Sequence, residues 1–208
     1  MLSTYELVMN LIPLLKTKDI THQKQIADLF TSLNDTEKTV PLLYLLDNNG
    51  INKNHPCLSL YQYSHRWFNT IVDAGCHHVG DVVDVLLAGA HIVVIRPKQW
   101  KESDLLSIRD ISEAELYVWY DPFENDRKKS ISSVLLSQAD GIIFYTDEVM
   151  SPISFEIRDT IKALISTHSA EKIMVFDSQQ KHERELSSFG LNSMIVDSQK
   201  IQRENSYV

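Results

Sequence analysis

A single rhythm restricts this chain more than any other feature. Short apolar runs rich in β-branched and aromatic residues recur from one end to the other, and most stop at Asp, Gly, Pro or Ser. They occupy residues 11–15, 42–46, 70–72, 91–95, 116–120, 141–145, 172–176 and 193–196. Between them lie segments with helical spacing, such as Gln25-Ile26-Leu29-Phe30-Leu33, Val82-Val83-Val85-Leu86-Leu87 and Ile153-Ile157-Ile161-Leu164-Ile165. Strand and helix therefore alternate, and parallel strands joined by helices either close into a barrel or lie in a doubly wound open sheet. A succession of eight units favours closure, so the expected fold is α/β, a small (β/α)8 TIM-type barrel spanning residues 1–208 as one domain. A length of 208 residues is short for that fold and requires lean helices and loops.

Helix starts are expected at Thr21 before Ile26, Ser103 before Leu105, Ser151-Pro152 before Ile153, and Ser178 before the 179–186 stretch. No Pro/Ser/Gly linker or charge block divides the sequence, and residues 203–208 are expected to form a loose end.

A net charge of -8 argues against a surface that tracks nucleic-acid phosphates, which calls for a basic face. Small molecules are the expected partners, with a homo-oligomer or a protein partner left open. The cysteines, Cys57 and Cys76, do not make a disulfide framework or a CxxC metal site, and a reducing cytoplasm is the simple reading. The first 15 residues lack the pattern of an export signal, and no apolar run approaches a membrane span. His77 and His78 beside Cys76 suggest zinc chemistry, but adjacent residues rarely share one metal and no third ligand stands at suitable spacing. Neither a metal nor a cofactor is expected.

In a barrel, the residues after each strand gather at one mouth. Asp47, Asp73, Asp121, Asp177 and Asp197 all follow strands, where crowded carboxylates can raise one another's pKa to give a general acid, or can hold Mg²⁺. The plainer reading of each is a helix cap or turn residue. Lys16 can neutralise those carboxylates, serve as an electrophile, or form a Schiff base as an amine of lowered pKa. Arg96 can grip an anion bidentately or pair with Asp73 or Asp121. The aromatic stretch 61–68 is expected to cover the barrel wall rather than to stack bases.

The order of motifs resembles the phosphoribosyl isomerase and cyclase family of histidine biosynthesis, the HisA/HisF-like barrels. Residues 12–19, IPLLKTKD, are similar to a first strand reading roughly IPAIDLKD, and residues 43–51, LYLLDNNGI, to a second strand of the VDLDGA kind. Residues 72–82, VDAGCHHVGDV, with 88–95, AGAHIVVI, resemble the third strand, its helix and the fourth strand. The likeness is to a divergent branch found beside tetrahydromethanopterin-linked one-carbon genes. It implies an acid/base pair at the ends of the first and fifth strands, but Lys16 stands where the first Asp is usual, while Asp121 matches the second. It also implies phosphate-gripping glycines. Gly75 matches one, but Arg96-Pro97, Asp177-Ser178 and Asp197-Ser198 stand at the others. A bis-phosphorylated substrate is thereby disfavoured.

Two functions follow as expectations. The first is an isomerase-like or lyase-like enzyme moving a proton on a small phosphorylated or carboxylated metabolite, linked by the resemblance to one-carbon metabolism. Asp121 would be its acid/base, Lys16 and Asp47 the charge-setting partners, and Gly75, Arg96, Asp73 and Asp177 would bind substrate. The second is a barrel that has lost its chemistry and serves as a binding or assembly subunit, anchored through aromatic residues such as Trp100 or Phe123.

Overall fold

The computed structural model describes residues 9–33, 40–100, 102–123, 136 and 138–205. Its strands are β1 (Asn10–Lys16), β2 (Leu42–Leu46), β3 (Asn69–Asp73), β4 (Ile92–Ile95), β5 (Glu115–Tyr120), β6 (Gly141–Tyr145), β7 (Ile173–Phe176) and β8 (Ser193–Asp197). Each pairs in parallel with its neighbours in sequence, and β1 also pairs with β8, so the sheet closes. The chain is a (β/α)8 barrel, and each expected strand lies within about a residue of its observed position.

Helices connect the strands: α1 (Lys24–Leu33), α2 (Asn48–Lys53), α3 (Leu58–Ser64), α4 (Val79–Leu87) and α5 (Glu102–Arg109), then Phe155–Thr167, Glu183–Ser187 and Ser198–Asn205. Some starts differ from expectation. Gln25, not Thr21, supplies the accepting side chain at α1, taking the Thr21 and His22 N–H groups. Ser103 lies inside α5 rather than ahead of it. Ser154 caps the helix that Ser151-Pro152 was expected to open, its hydroxyl accepting from the Ile157 N–H. The 179–186 stretch turns before its short helix begins at Glu183, and the side chain of Ser178 instead donates to Asp147. Residues 203–205 continue the last helix, and 206–208 lie outside the described residues. Among the described residues no helix is long and apolar enough to cross a membrane.

Alternation along the strands divides the apolar residues into an interior and a wall. Ile12, Leu14, Tyr44, Ile71, Val94 and Ile195 fill the barrel with Tyr117, Trp119 and Phe176. Residues of the opposite phase, such as Leu43, Leu45, Val93 and Val175, meet the helices outside. The 61–68 stretch joins that wall as expected: Tyr61 and Phe68 are fully buried, and Phe30 packs against both Trp67 and Phe68. Trp100, expected as an exposed anchor, is buried in the wall cluster, where its indole N–H donates to the Cys76 carbonyl at 2.6 Å.

Candidate active site

The phase that fills the barrel also decides which strand-end residues reach its mouth. Lys16 continues the inward row of Ile12 and Leu14, Arg96 that of Ile92 and Val94, and Asp121 that of Tyr117 and Trp119. All three line an open cavity of about 420 Å³ at the carboxyl-terminal ends of the strands. This is within the size range of small-molecule sites and on the face where such barrels carry their chemistry. Trp119, Tyr145 and Phe176 form an aromatic wall, with Trp119 5.1 Å from Tyr145 and 5.2 Å from Phe176 between ring centres.

Arg96 pairs with Asp73, one of the two carboxylates expected for it. Its Nε and Nη2 donate to the two Asp73 oxygens at 3.0 and 2.7 Å. Asp73 is fully buried and also accepts the Tyr44 hydroxyl at 3.1 Å. Burial, with the adjacent Asp73 charge, pushes the Tyr44 phenol far up, so it stays a donor. The guanidinium lies 4.3 Å over the Trp119 ring. Arg96 is thus a fixed, charge-compensated plate on the cavity wall, and Asp73 is the group beneath it, not itself a lining residue.

Asp121 follows β5, and one of its oxygens accepts the Phe123 N–H at 2.8 Å, a turn-forming bond that orients the carboxylate. Tyr145 shares its surroundings. Burial pushes the Tyr145 phenol up to about 12, assisted by Asp147, Glu148 and Asp121 and opposed by Arg96. Its hydroxyl is therefore protonated over the physiological range.

The remaining expected site residues lie elsewhere. Asp47 and Asp177 fall in the outward phase of Leu43-Leu45 and Ile173-Val175, so neither joins the cavity. Asp47 is the N-cap of α2 and fully buried. It accepts from the Asn49 and Gly50 N–H groups at 3.0 and 3.2 Å, the Cys57 N–H at 2.7 Å, the Thr17 hydroxyl at 2.9 Å and the Tyr61 hydroxyl. Burial alone would raise its pKa, but bonds from Tyr61, Cys57, Gly50 and Thr17 outweigh it and hold the carboxyl below its ordinary value. Asp177 accepts the His182 N–H at 2.8 Å and contacts His182 Nδ1 at 3.2 Å. Asp197 accepts the Gln199 N–H at 3.0 Å.

Gly75 has φ of 63°, and a β-carbon there would stand 2.5 Å from Ile51 Cα. Gly50 stands in the same relation to the Ala74 carbonyl, at 2.4 Å. The two glycines let α2 press on the loop after β3, a packing need that accounts for glycine at position 75, which does not line the cavity. His77 and His78 have ring centres 6.2 Å apart, and no metal-ligand cluster occurs among the described residues.

The aromatic wall, Lys18, Asn48, Asn52, Asp147 and Glu148 were not among the expected site residues. The wall was legible in principle: Trp119, Tyr145 and Phe176 are the last inward positions of their strands.

No family model matches the sequence. No curated protein matches it either. Solved structures do resemble the fold. Dihydropteroate synthase from Thermus thermophilus is 13% identical, with a TM-score of 0.59 over 95% of this chain and 91% of that one. A mutant tryptophan synthase α-subunit from Pyrococcus furiosus is 13% identical, with a TM-score of 0.62 over 90% and 86%. A lyase/mutase from Burkholderia cenocepacia is 12% identical, with a TM-score of 0.58 over 95% and 78%. At these identities the likeness establishes the TIM-barrel architecture.

Proposed function

We propose that this barrel is an enzyme that moves a proton on a small carboxylated or phosphorylated metabolite, in an isomerase-type or lyase-type reaction. The observation that carries the reading is the joint presence of Lys16 and Asp121 on the wall of an open cavity at the carboxyl-terminal mouth. Asp121 accepts a proton from a carbon next to a carbonyl. The electron pair moves onto the carbonyl oxygen, where the Lys16 ammonium offsets the new charge. Where the deprotonated carbon carries a hydroxyl, the hydroxyl proton moves to the former carbonyl oxygen and return of the abstracted proton to the former carbonyl carbon completes an isomerisation, whereas expulsion of a leaving group from the carbon next to the carbanion completes an elimination. Asp47 supports the site from behind through Thr17, and Asp73 does so through Arg96.

Kinship with the HisA/HisF-like branch and a place beside tetrahydromethanopterin-linked one-carbon chemistry belong to the same reading and rest on the motif resemblance. The names of the similar barrels, a synthase, a synthase subunit and a lyase/mutase, fit an enzyme without specifying the reaction. The assembly alternative called for a plugged mouth and exposed anchors; the mouth is open and Trp100 is buried, whereas Phe123 is exposed.

The test is to screen carboxylated and phosphorylated metabolites by thermal shift, then incubate those that bind in D₂O and follow carbon-bound proton exchange by NMR. Wild-type protein is expected to exchange one position, and Asp121→Asn to slow this by about 10²–10⁴-fold. Binding without exchange for every ligand would overturn the reading.

A further inference from the structure

The charges on the cavity wall are sorted by position around the barrel. Lys16 and Lys18 stand at the end of β1, whereas Asp121, Asp147 and Glu148 follow β5 and β6. In a closed ring of eight strands in sequence order, β5 lies diametrically across from β1. Arg96 does not reverse the sign of the acidic arc, because its charge is paired with the Asp73 carboxylate beneath it, to which Nε and Nη2 donate. Asp47 does not reverse the basic side, since it lies outside the cavity and is saturated by neutral donors. The rings of Trp119 and Tyr145 stand on β5 and β6, the strands that lead to the acidic groups, and Phe176 on β7 continues this wall.

An anion alone would be attracted at Lys16 and Lys18 but repelled across the cavity, and a cation alone would meet the reverse. We infer that the substrate is dipolar, with a carboxylate or phosphate at the β1 side, a protonated amine or comparable cation at the β5–β6 side, and an apolar or planar body against the aromatic wall. This rests on the enzymatic reading above and supplies its substrate class. In that pose Lys18 holds the anionic group, Lys16 is left for the carbonyl oxygen, and the reacting carbon lies towards the ammonium end, next to Asp121, where an adjacent positive charge also makes carbon-bound protons easier to remove.

Three matched probes test it by calorimetric titration at low salt: 4-(aminomethyl)benzoate, which carries both charges, 4-methylbenzoate, which carries only the negative one, and 4-methylbenzylamine, which carries only the positive one. The dipolar probe is expected to bind about tenfold more tightly than either singly charged probe, the difference of one charge-assisted contact. Lys18→Met is expected to weaken the dipolar and carboxylate probes but not the amine. Glu148→Gln is expected to weaken the dipolar and amine probes but not the carboxylate. Both substituted residues lie on the exposed rim, so the variants fold if the wild type does. Equal binding of 4-methylbenzoate and the dipolar probe, loss of all probes alike in either variant, or no binding of any probe would overturn the inference. The expected pattern with no proton exchange in any bound ligand would sink the proton-transfer reading alone. Exchange on a purely anionic ligand would sink the dipolar inference alone.

Discussion

Replacing Asp47 by alanine removes the acceptor on which the first third of the barrel mouth converges. Its donors come from β1's end (Thr17), α2 (Asn49, Gly50), the loop before α3 (Cys57) and α3 itself (Tyr61). The Thr17, Gly50 and Tyr61 bonds are buried, and the Asn49 and Cys57 bonds are part-buried, so water can replace the latter pair more readily. A stranded buried donor costs about 1–3 kcal/mol, so three of them, partly relaxed, place the loss at about 4–6 kcal/mol. Urea denaturation measures it directly. Tyr61→Phe alone is expected to cost about 1–2 kcal/mol, and the double variant less than the sum, because both changes break one shared bond. The carboxyl's folded-state pKa lies below its ordinary value, so its contribution is complete above the unfolded pKa and is lost as pH falls through the folded one. Asp47→Asn should therefore flatten the fall in stability below about pH 4. A loss under about 1 kcal/mol for Asp47→Ala, or an unchanged acid limb for Asp47→Asn, would refute this account of the cluster.

Arg96→Ala should destabilise by about 3 kcal/mol or more, because it strands the buried Asp73 carboxylate, and adding Asp73→Ala should restore part of that loss in the same denaturation assay. Gly75→Ala should cost more than about 1 kcal/mol, given its positive φ and the Ile51 backbone against it. Gly80→Ala is the opposite control: it lies in α4 with nothing within 4 Å of the added methyl, and should raise stability by about 0.5 kcal/mol in paired thermal melts.

The barrel was legible because each strand carries its own signal, a short β-branched or aromatic run ended by a turn residue, and the alternation repeats. The helices α2 and α3 were not. Asn48-Asn49-Gly50 reads as a turn, and Asp47 caps them as a helix through the Asn49 and Gly50 N–H groups while its carboxylate is also held by Cys57 and Tyr61, ten and fourteen positions away. The site was half legible for a related reason. Lys16 and Asp121 follow inward rows, and their position at the mouth is a matter of counting by two from Leu14 and Trp119. Asp47 and Asp177 follow strands just as closely but sit one step out of phase, which directs their carboxylates to caps and loops. A resemblance built on motif order does not register that difference. Gly75 is ambiguous in the same way, since the backbone freedom that suits a phosphate also suits the close approach of Ile51.

The three tryptophans of the chain occupy unlike surroundings, and this gives the molecule a built-in optical signal. Trp67 and Trp100 belong to the wall beneath the helices, whereas Trp119 lies on the cavity under the Arg96 guanidinium. A cation held over an indole face shifts and quenches its emission, and a ligand that enters the cavity alters that contact or the ring's hydration. In a chain carrying phenylalanine at the two wall positions, occupancy of the mouth could be read from the fluorescence of one residue, without a label and without knowing the reaction in advance.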